Sequence, residues 1–291
     1  MLIKISSPAI SAVINTMGAE LTSLADTAGT EYLWQGNAKY WSGQAPVLFP
    51  VVGRLKDKKI IINGGEYTMD AHGFARSSEF EVAEQSESKV VLSLKSSEDT
   101  KKMYPFDFEF LVTFEIVDKT LENRFEVINL TDGQMVYGVG GHPGFNVPLF
   151  DNERFEDYLI VFEKNETINR LYFDQEKGEI DFGRRTNVIT NGNILPLNWD
   201  LFENDAIIMD EPKSKFVSLI HKETGHGVKM SFEDFPYFAM WTGVGAPYLC
   251  LEPWQGIGAC ADETSEITDK RSMLTLEKND HRSHSFFVTV V

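Results

Sequence analysis

The chain has 291 residues, and its 27 Lys plus Arg against 44 Asp plus Glu leave a formal net charge of −17. This acidic balance excludes a nucleic-acid partner, whose phosphates need a Lys/Arg footprint, and an anionic membrane surface. With 21 Phe, 9 Tyr and 5 Trp the chain can bury enough apolar surface to offset the entropy of ordering, and two cysteines, Cys250 and Cys260, exclude a disulfide framework and a Cys-only zinc site.

From the N-terminus, residues 1–15 alternate polar and apolar side chains and lack the apolar core of a signal peptide. No stretch reaches about 18 consecutive apolar residues, the length of a spanning helix. A cytoplasmic protein with free thiols is the expectation. Period-two runs of β-branched and aromatic residues predict strands at 88–96 (SKVVLSLKS), 106–117 (FDFEFLVTFEIV), 120–128 (TLENRFEVI), 157–163 (DYLIVFE) and 285–291 (SFFVTVV). Asn63-Gly64, Asp132-Gly133, Lys177-Gly178 and Asn191-Gly192 are turn signals. Helix candidates are short: 97–103, 199–204 and 263–270. Residues 152–193 form the most polar and loop-like stretch. The whole predicts one all-β domain over residues 1–291, a large antiparallel sandwich or barrel of roughly 16 to 20 strands.

In a chain that is 24 % charged, three stretches are nearly free of charge. Residues 40–53 (YWSGQAPVLFPVVG) end at Arg54. Residues 133–150 hold no Asp, Glu, Lys or Arg and one imidazole, His142, and residues 235–261 hold a single charged side chain, Glu252. Burying an unpaired charge is costly, so each lone group needs a partner, a shifted pKa or a task. A lone His in an apolar strand also reads as a hydrogen-bonded core residue, and a lone Glu as a solvent-facing strand end. Their company favours a site. Pro-Gly-Phe and Asn146 follow His142; Pro, Trp254, Gln and Gly follow Glu252. Aromatic faces with amide and acid hydrogen-bonders suit a sugar ring. The loop 70–76 (DAHGFAR) adds His72 and Arg76.

Other motifs are weaker. Gly138, Gly140, Gly141 and Gly144 lack dinucleotide-fingerprint spacing, and Pro143 and Pro148 prevent the helix that must follow. No GxxxxGK[ST] and no GxSxG occurs. His281 and His284 have no third ligand nearby, His221 and His226 read as a hairpin turn, and no metal is expected at either pair. Lys56, Lys58 and Lys59 read as a solvated hairpin face.

Five segments, EYLWQG (31–36), APVLFPVVGRL (45–55), HGFAR (72–76), GGHPGFN (140–146) and LEPWQG (251–256), together resemble the aldose 1-epimerase (galactose mutarotase-like) family, and within it the LacX-type branch. The resemblance implies a β-supersandwich and interconversion of the α and β anomers of an aldose without a cofactor. It implies that His142 is the general acid and Glu252 the general base. Arg54 and His72 correspond to sugar-binding residues, and the family's substrate-binding Asp corresponds to Asp205, with Asp210 as rival. The chain departs from well-studied galactose mutarotases in having Gly141 before the central His and Pro143-Gly144-Phe145-Asn146 after it, so the pocket rim differs.

Mutarotation needs a base on the C1 hydroxyl and an acid on the ring oxygen, so Glu252 and His142 are expected to face one sugar from opposite sides. Burial is expected to make the Glu252 carboxylate more basic, opposed by any nearby cation such as Arg54. Two alternatives stay open. One is an epimerase for a hexose 6-phosphate, using Lys56, Lys58, Arg76, Arg184 and Arg185 at the pocket mouth. The other is a non-catalytic carbohydrate-binding or sensing protein. A glycosidase needs a carboxylate pair, and the sequence offers one lone acid. The expected partner is a monosaccharide, and both monomer and dimer are open.

Overall fold

The computed structural model describes residues 1–291, of which 53 % lie in strands and 7 % in helices. Twenty-two strands form, and those named pair antiparallel. The count exceeds the expected range because several strands have two or three residues, among them Val47–Leu48, Val139–Gly141 and Gly144–Asn146. Such runs are too short to show a period.

A nine-stranded sheet runs, edge to edge, through Glu179–Pro196, Tyr158–Asp174, Phe216–His221, Gly227–Ser231, His281–Val290, Thr120–Asn129, Phe108–Val117, Lys89–Lys95 and Glu81–Gln85. Its alternation is plain in Thr120–Asn129, where Leu121, Asn123, Phe125, Val127 and Asn129 turn inward. A six-stranded sheet contains Ile207–Asp210, Tyr237–Trp241, Tyr248–Gln255, Val139–Gly141 and Val47–Leu48, with Gly144–Asn146 also paired to Tyr248–Gln255. All eight residues of Tyr248–Gln255 are buried. A strand covered on both faces reads as a continuous apolar run, which is why only one charge interrupts residues 235–261.

The two sheets share one core of 66 buried residues. Phe49, just after Val47–Leu48, stacks on Phe110 of Phe108–Val117 with ring centroids 4.4 Å apart. Gly141 touches Phe286 of His281–Val290: a Cβ added at Gly141 would lie 2.8 Å from that ring. The absence of a side chain there lets His142 approach the core closely.

Three sequence expectations are corrected. The polar stretch 152–193 is not a loop but carries most of the longest hairpin, Tyr158–Asp174 with Glu179–Pro196, joined at the predicted Lys177-Gly178 turn. Its polarity reflects an exposed face and several bulges. Asn191-Gly192 is one of these bulges, inside the strand, with Asn191 at φ 50°. Of the helix candidates, 97–103 forms the short α-helix Glu98–Lys101, closed by a Ser97/Thr100 capping box, and 199–204 forms the 3-10 turn Trp199–Phe202. Residues 263–270 keep only the turn Ile267–Asp269, because Lys270 is buried as a tether, its Nζ donating to the Ile257 carbonyl at 3.1 Å and to Glu263 at 3.3 Å. No helix is long and apolar enough to cross a membrane.

Candidate active site

Alternation along Tyr248–Gln255 sets Cys250, Glu252 and Trp254 on one face of the strand. Opposite Glu252 stands Ala239, and opposite Trp254 and Cys250 stand Gly140 and Gly144. A cavity of about 290 Å³ opens beside Glu252. Arg54, His72, Arg76, His142, Asp205, Glu252 and Trp254, seven of the eight residues assigned to the site, line it.

His142 follows Val139–Gly141 and is held by its backbone NH, which donates to the Pro46 carbonyl at 3.2 Å. Its Nε2 lies 3.1 Å from Glu252 Oε2. His142 and Glu252 therefore touch along one wall of the cavity, whereas the sequence reading expects them on opposite sides of a bound sugar. Burial raises the Glu252 carboxyl well above its usual range, reinforced by the negative charge of Asp205 and opposed by the Trp254 indole NH. Asp205, rather than Arg54, is thus the main charged modulator. Burial also lowers the His142 imidazole, with Arg76 adding to the effect. Both shifts disfavour the charged forms of the two side chains.

Gly53 and His72 form a reciprocal clasp between the VGR turn and the HGFAR loop. The Gly53 NH donates to His72 Nδ1 at 3.2 Å, and the His72 NH donates to the Gly53 carbonyl at 2.8 Å. Gly53 is at φ +69°, and a Cβ there would meet Gly258 Cα at 2.5 Å, so the turn that projects Arg54 requires glycine. Because His72 Nδ1 accepts, its proton is on Nε2. Burial and the neighbouring His142, Arg76 and Arg54 hold the ring neutral. His72 is a fixed neutral donor.

Asn146 does not reach the cavity. Its amide donates to the carbonyls of Glu31 and Leu33 at 2.9 and 3.0 Å, tying the strand after His142 to the N-terminal segment. Asp205 lines the cavity at φ 74°, whereas its rival Asp210 is engaged by Arg185 at 2.6 and 2.8 Å. The proposed cations also divide. Lys56 pairs with Glu179, Lys58 with Asp70 and Arg185 with Asp210, and Arg184 stacks on Tyr172. Arg54 and Arg76 line the cavity without an ion pair.

Trp41, Trp241 and Phe173 were missed. The Trp41 and Trp241 rings flank His142, with centroids 5.0 and 5.9 Å away. Both lie in charge-poor stretches, a signal that marked the region but not the residue. Phe173 comes from the hairpin tip, which bonds to the far wall through Ile180 NH to Ala259 O at 2.8 Å and Ala261 NH to Ile180 O at 2.9 Å. Its polar surroundings carried no signal. Outside the cavity, His284 is buried against the Tyr137 hydroxyl at 3.0 Å, and His221 and His226 flank the expected turn between Phe216–His221 and Gly227–Ser231.

The chain is similar throughout to two forms, plasmid and chromosomal, of protein LacX from Lactococcus lactis subsp. lactis, each 34 % identical over 298 residues and covering all of both chains. Its structure is similar to that of a galactose mutarotase related enzyme from Lactobacillus acidophilus, with a TM-score of 0.94, 33 % identity and coverage of 100 % and 97 % of the two chains. A galactose mutarotase-like protein from Lactobacillus casei gives a TM-score of 0.92 at 28 % identity, with full coverage of both. The family model described as aldose 1-epimerase matches residues 1–272. With a galactose mutarotase-like β-sandwich carrying this pocket, the chain belongs to the aldose 1-epimerase family.

Proposed function

We propose that the protein is a mutarotase that interconverts the α and β anomers of an aldose, with Glu252 as general base and His142 as general acid. The observation that carries this reading is the 3.1 Å contact between His142 Nε2 and Glu252 Oε2 at the wall of an aromatic-lined cavity. The ring oxygen and the C1 hydroxyl of an aldose are bonded to the same carbon. Two proton-transfer groups side by side therefore match two oxygens side by side.

Sugar hydroxyls that hydrogen-bond the Glu252 carboxylate offset its burial, and a proton held by the pair moves from Glu252 to His142. Glu252 then takes the C1 hydroxyl proton while His142 protonates the ring oxygen. The C1–O5 bond breaks, the open-chain aldehyde turns about C1–C2, and the reverse transfers close the ring on the other face. Protons balance, no electrons are gained or lost, and each transfer contributes roughly 10²–10⁴-fold. Arg54, Arg76, His72 and Asp205 hold the remaining hydroxyls, and Trp41, Trp241 and Trp254 supply apolar faces for the sugar C–H groups.

A second reading concerns the substrate. Arg54 and Arg76 face the cavity without carboxylate partners in a chain of net charge −17. Two free guanidiniums favour a substrate bearing a phosphate, such as a hexose 6-phosphate. A polarimetric screen across free and 6-phosphorylated aldoses tests both readings. Accelerated mutarotation of any of them is expected, and the phosphorylated set decides the second reading. Binding of an aldose without turnover would replace the enzyme reading with a sensing one.

A further inference from the structure

We propose that Cys250, His142 and Glu252 form an inhibitory site for a divalent cation of the zinc class in the wall of the sugar pocket, with the Cys250 thiol behind the two residues that line it. This rests on the mutarotase reading only for the word inhibitory; the binding itself does not depend on it.

The ligand atoms of the three side chains all lie within 4.8 Å of one another. Cys250 and Glu252 share a strand face two residues apart, and His142 reaches them from the neighbouring chain segment. Zinc bonds to nitrogen and oxygen at about 2.0–2.2 Å and to thiolate at about 2.3 Å, which sets ligand atoms about 3.3–3.6 Å apart in a tetrahedron. His142 Nε2 and Glu252 Oε2, at 3.1 Å, are already near that spacing. The Cys250 sulfur, within 4.8 Å of both atoms, completes the set. One sulfur, one imidazole and one carboxylate make a borderline-soft set that suits zinc rather than magnesium or calcium. Three protein ligands leave the fourth tetrahedral position for a solvent molecule.

The pocket is also short of hydrogen bonds. Glu252 is 1 % exposed and its Oε2 has only the His142 Nε2 contact at 3.1 Å, while His142 Nδ1 has no hydrogen-bond partner. Charge balances on exchange. Zn²⁺ enters as two protons leave, one from the Cys250 thiol and one from the Glu252–His142 pair. The buried site keeps its net charge, which removes the usual penalty for placing an ion in a dry wall. The metal occupies the same Oε2 and Nε2 that move protons, so it blocks turnover.

A second cluster, Glu153, His221 and His226, also brings its ligand atoms within 4.8 Å. Its atoms are already engaged. His221 Nδ1 receives the Thr224 backbone NH at 3.3 Å and contacts the Thr224 hydroxyl at 3.0 Å, so its proton sits on Nε2. His226 bonds Thr224 through Nδ1 at 2.7 Å and Glu153 through Nε2 at 3.1 Å. Satisfied groups of this kind have less to gain from an ion than the open triad.

The test is titration of EDTA-treated, desalted protein with Zn²⁺ by calorimetry, in two buffers of different ionisation enthalpy. It is paired with Co²⁺ absorption and mutarotation assays. One zinc per chain, about two protons released, a cobalt–thiolate charge-transfer band and loss of mutarotation are expected. Cys250→Ala should retain mutarotation, lose the thiolate band and weaken zinc binding by at least about 10-fold. His226→Gln should leave all of this unchanged. Circular dichroism checks that each variant folds, and Cys250→Ser replaces Cys250→Ala if the smaller side chain unfolds the strand. Unchanged zinc affinity in the folded Cys250 variant, loss of binding in His226→Gln, or no zinc binding by the native protein overturns the proposal. Zinc binding with a thiolate band in a protein that turns over no aldose upholds the metal site and refutes the mutarotase reading instead.

Discussion

Gly53 and His72 fix each other. The Gly53 NH donates to His72 Nδ1 at 3.2 Å, while the His72 NH donates to the Gly53 carbonyl at 2.8 Å. This clasp sets the tautomer of His72 and the direction of the adjacent Arg54. His72→Ala removes a donor from the cavity wall and half of the clasp, so if His72 binds the sugar as proposed, kcat/KM should fall by about 10-fold or more, largely through KM. Steady-state kinetics that match the native protein would show that neither role matters.

Gly141 carries a packing prediction. A methyl group there would sit 2.8 Å from the Phe286 ring. Gly141→Ala should destabilise the fold by about 1–3 kcal/mol, the usual range for overpacking a core. Adding Phe286→Leu should recover part of that loss by relieving the contact. Urea denaturation of the single and double variants measures both effects, and additive losses would contradict the packing account.

The pH dependence follows from the opposed shifts at the pair. In the proposed mechanism, activity requires one proton shared between Glu252 and His142. A second proton inactivates the pair only below the ordinary imidazole value of 6.5, because burial lowers His142. Loss of the shared proton occurs above the ordinary carboxyl value of 4.5, because burial raises Glu252. The acid limb of the kcat/KM profile should therefore lie well below 6.5. An acid limb centred at or above 6.5 contradicts these shifts.

Arg54 and Arg76 separate the two substrate readings. If the sugar is phosphorylated, Arg54→Ala or Arg76→Ala should cost about 10-fold or more in KM for the phosphate ester and much less for the free sugar. Equal losses on both point to hydroxyl contacts. Comparison of KM values for matched free and 6-phosphorylated aldoses decides.

Much of this site was legible in the sequence because a lone charge in an apolar run is costly. Glu252 and His142 stood out for that reason, and Arg54 and His72 belonged to recognisable short segments. Asn146 misled because an amide beside a catalytic group and an amide bridging two carbonyls read alike. Phe173 was hidden because its place in the pocket depends on a hairpin folding back over 80 residues of sequence to meet Ala259 and Ala261. Trp41 and Trp241 are aromatic in aromatic-rich stretches, and only packing distinguishes a pocket wall from core. Strand pattern alone marked the broad sheet Phe108–Val117 and Thr120–Asn129. It could not mark Val139–Gly141 or Gly144–Asn146, whose three residues complete no period.

The most direct measurement is polarimetry of Glu252→Gln on a substrate that the native protein turns over, read beside thermal unfolding of the same protein. The carboxamide keeps the shape and removes the base, so turnover should fall by at least about 10²-fold while sugar still binds. The folded-state pKa of Glu252 is raised, so its contribution to stability is fully present below 4.5 and is lost as pH rises through the raised value. At neutral pH and above, Glu252→Gln should therefore hold or raise the melting temperature. A stable, sugar-binding Glu252→Gln protein with almost no turnover is the predicted result, and near-native mutarotation by that protein would falsify the assignment of Glu252 as the base.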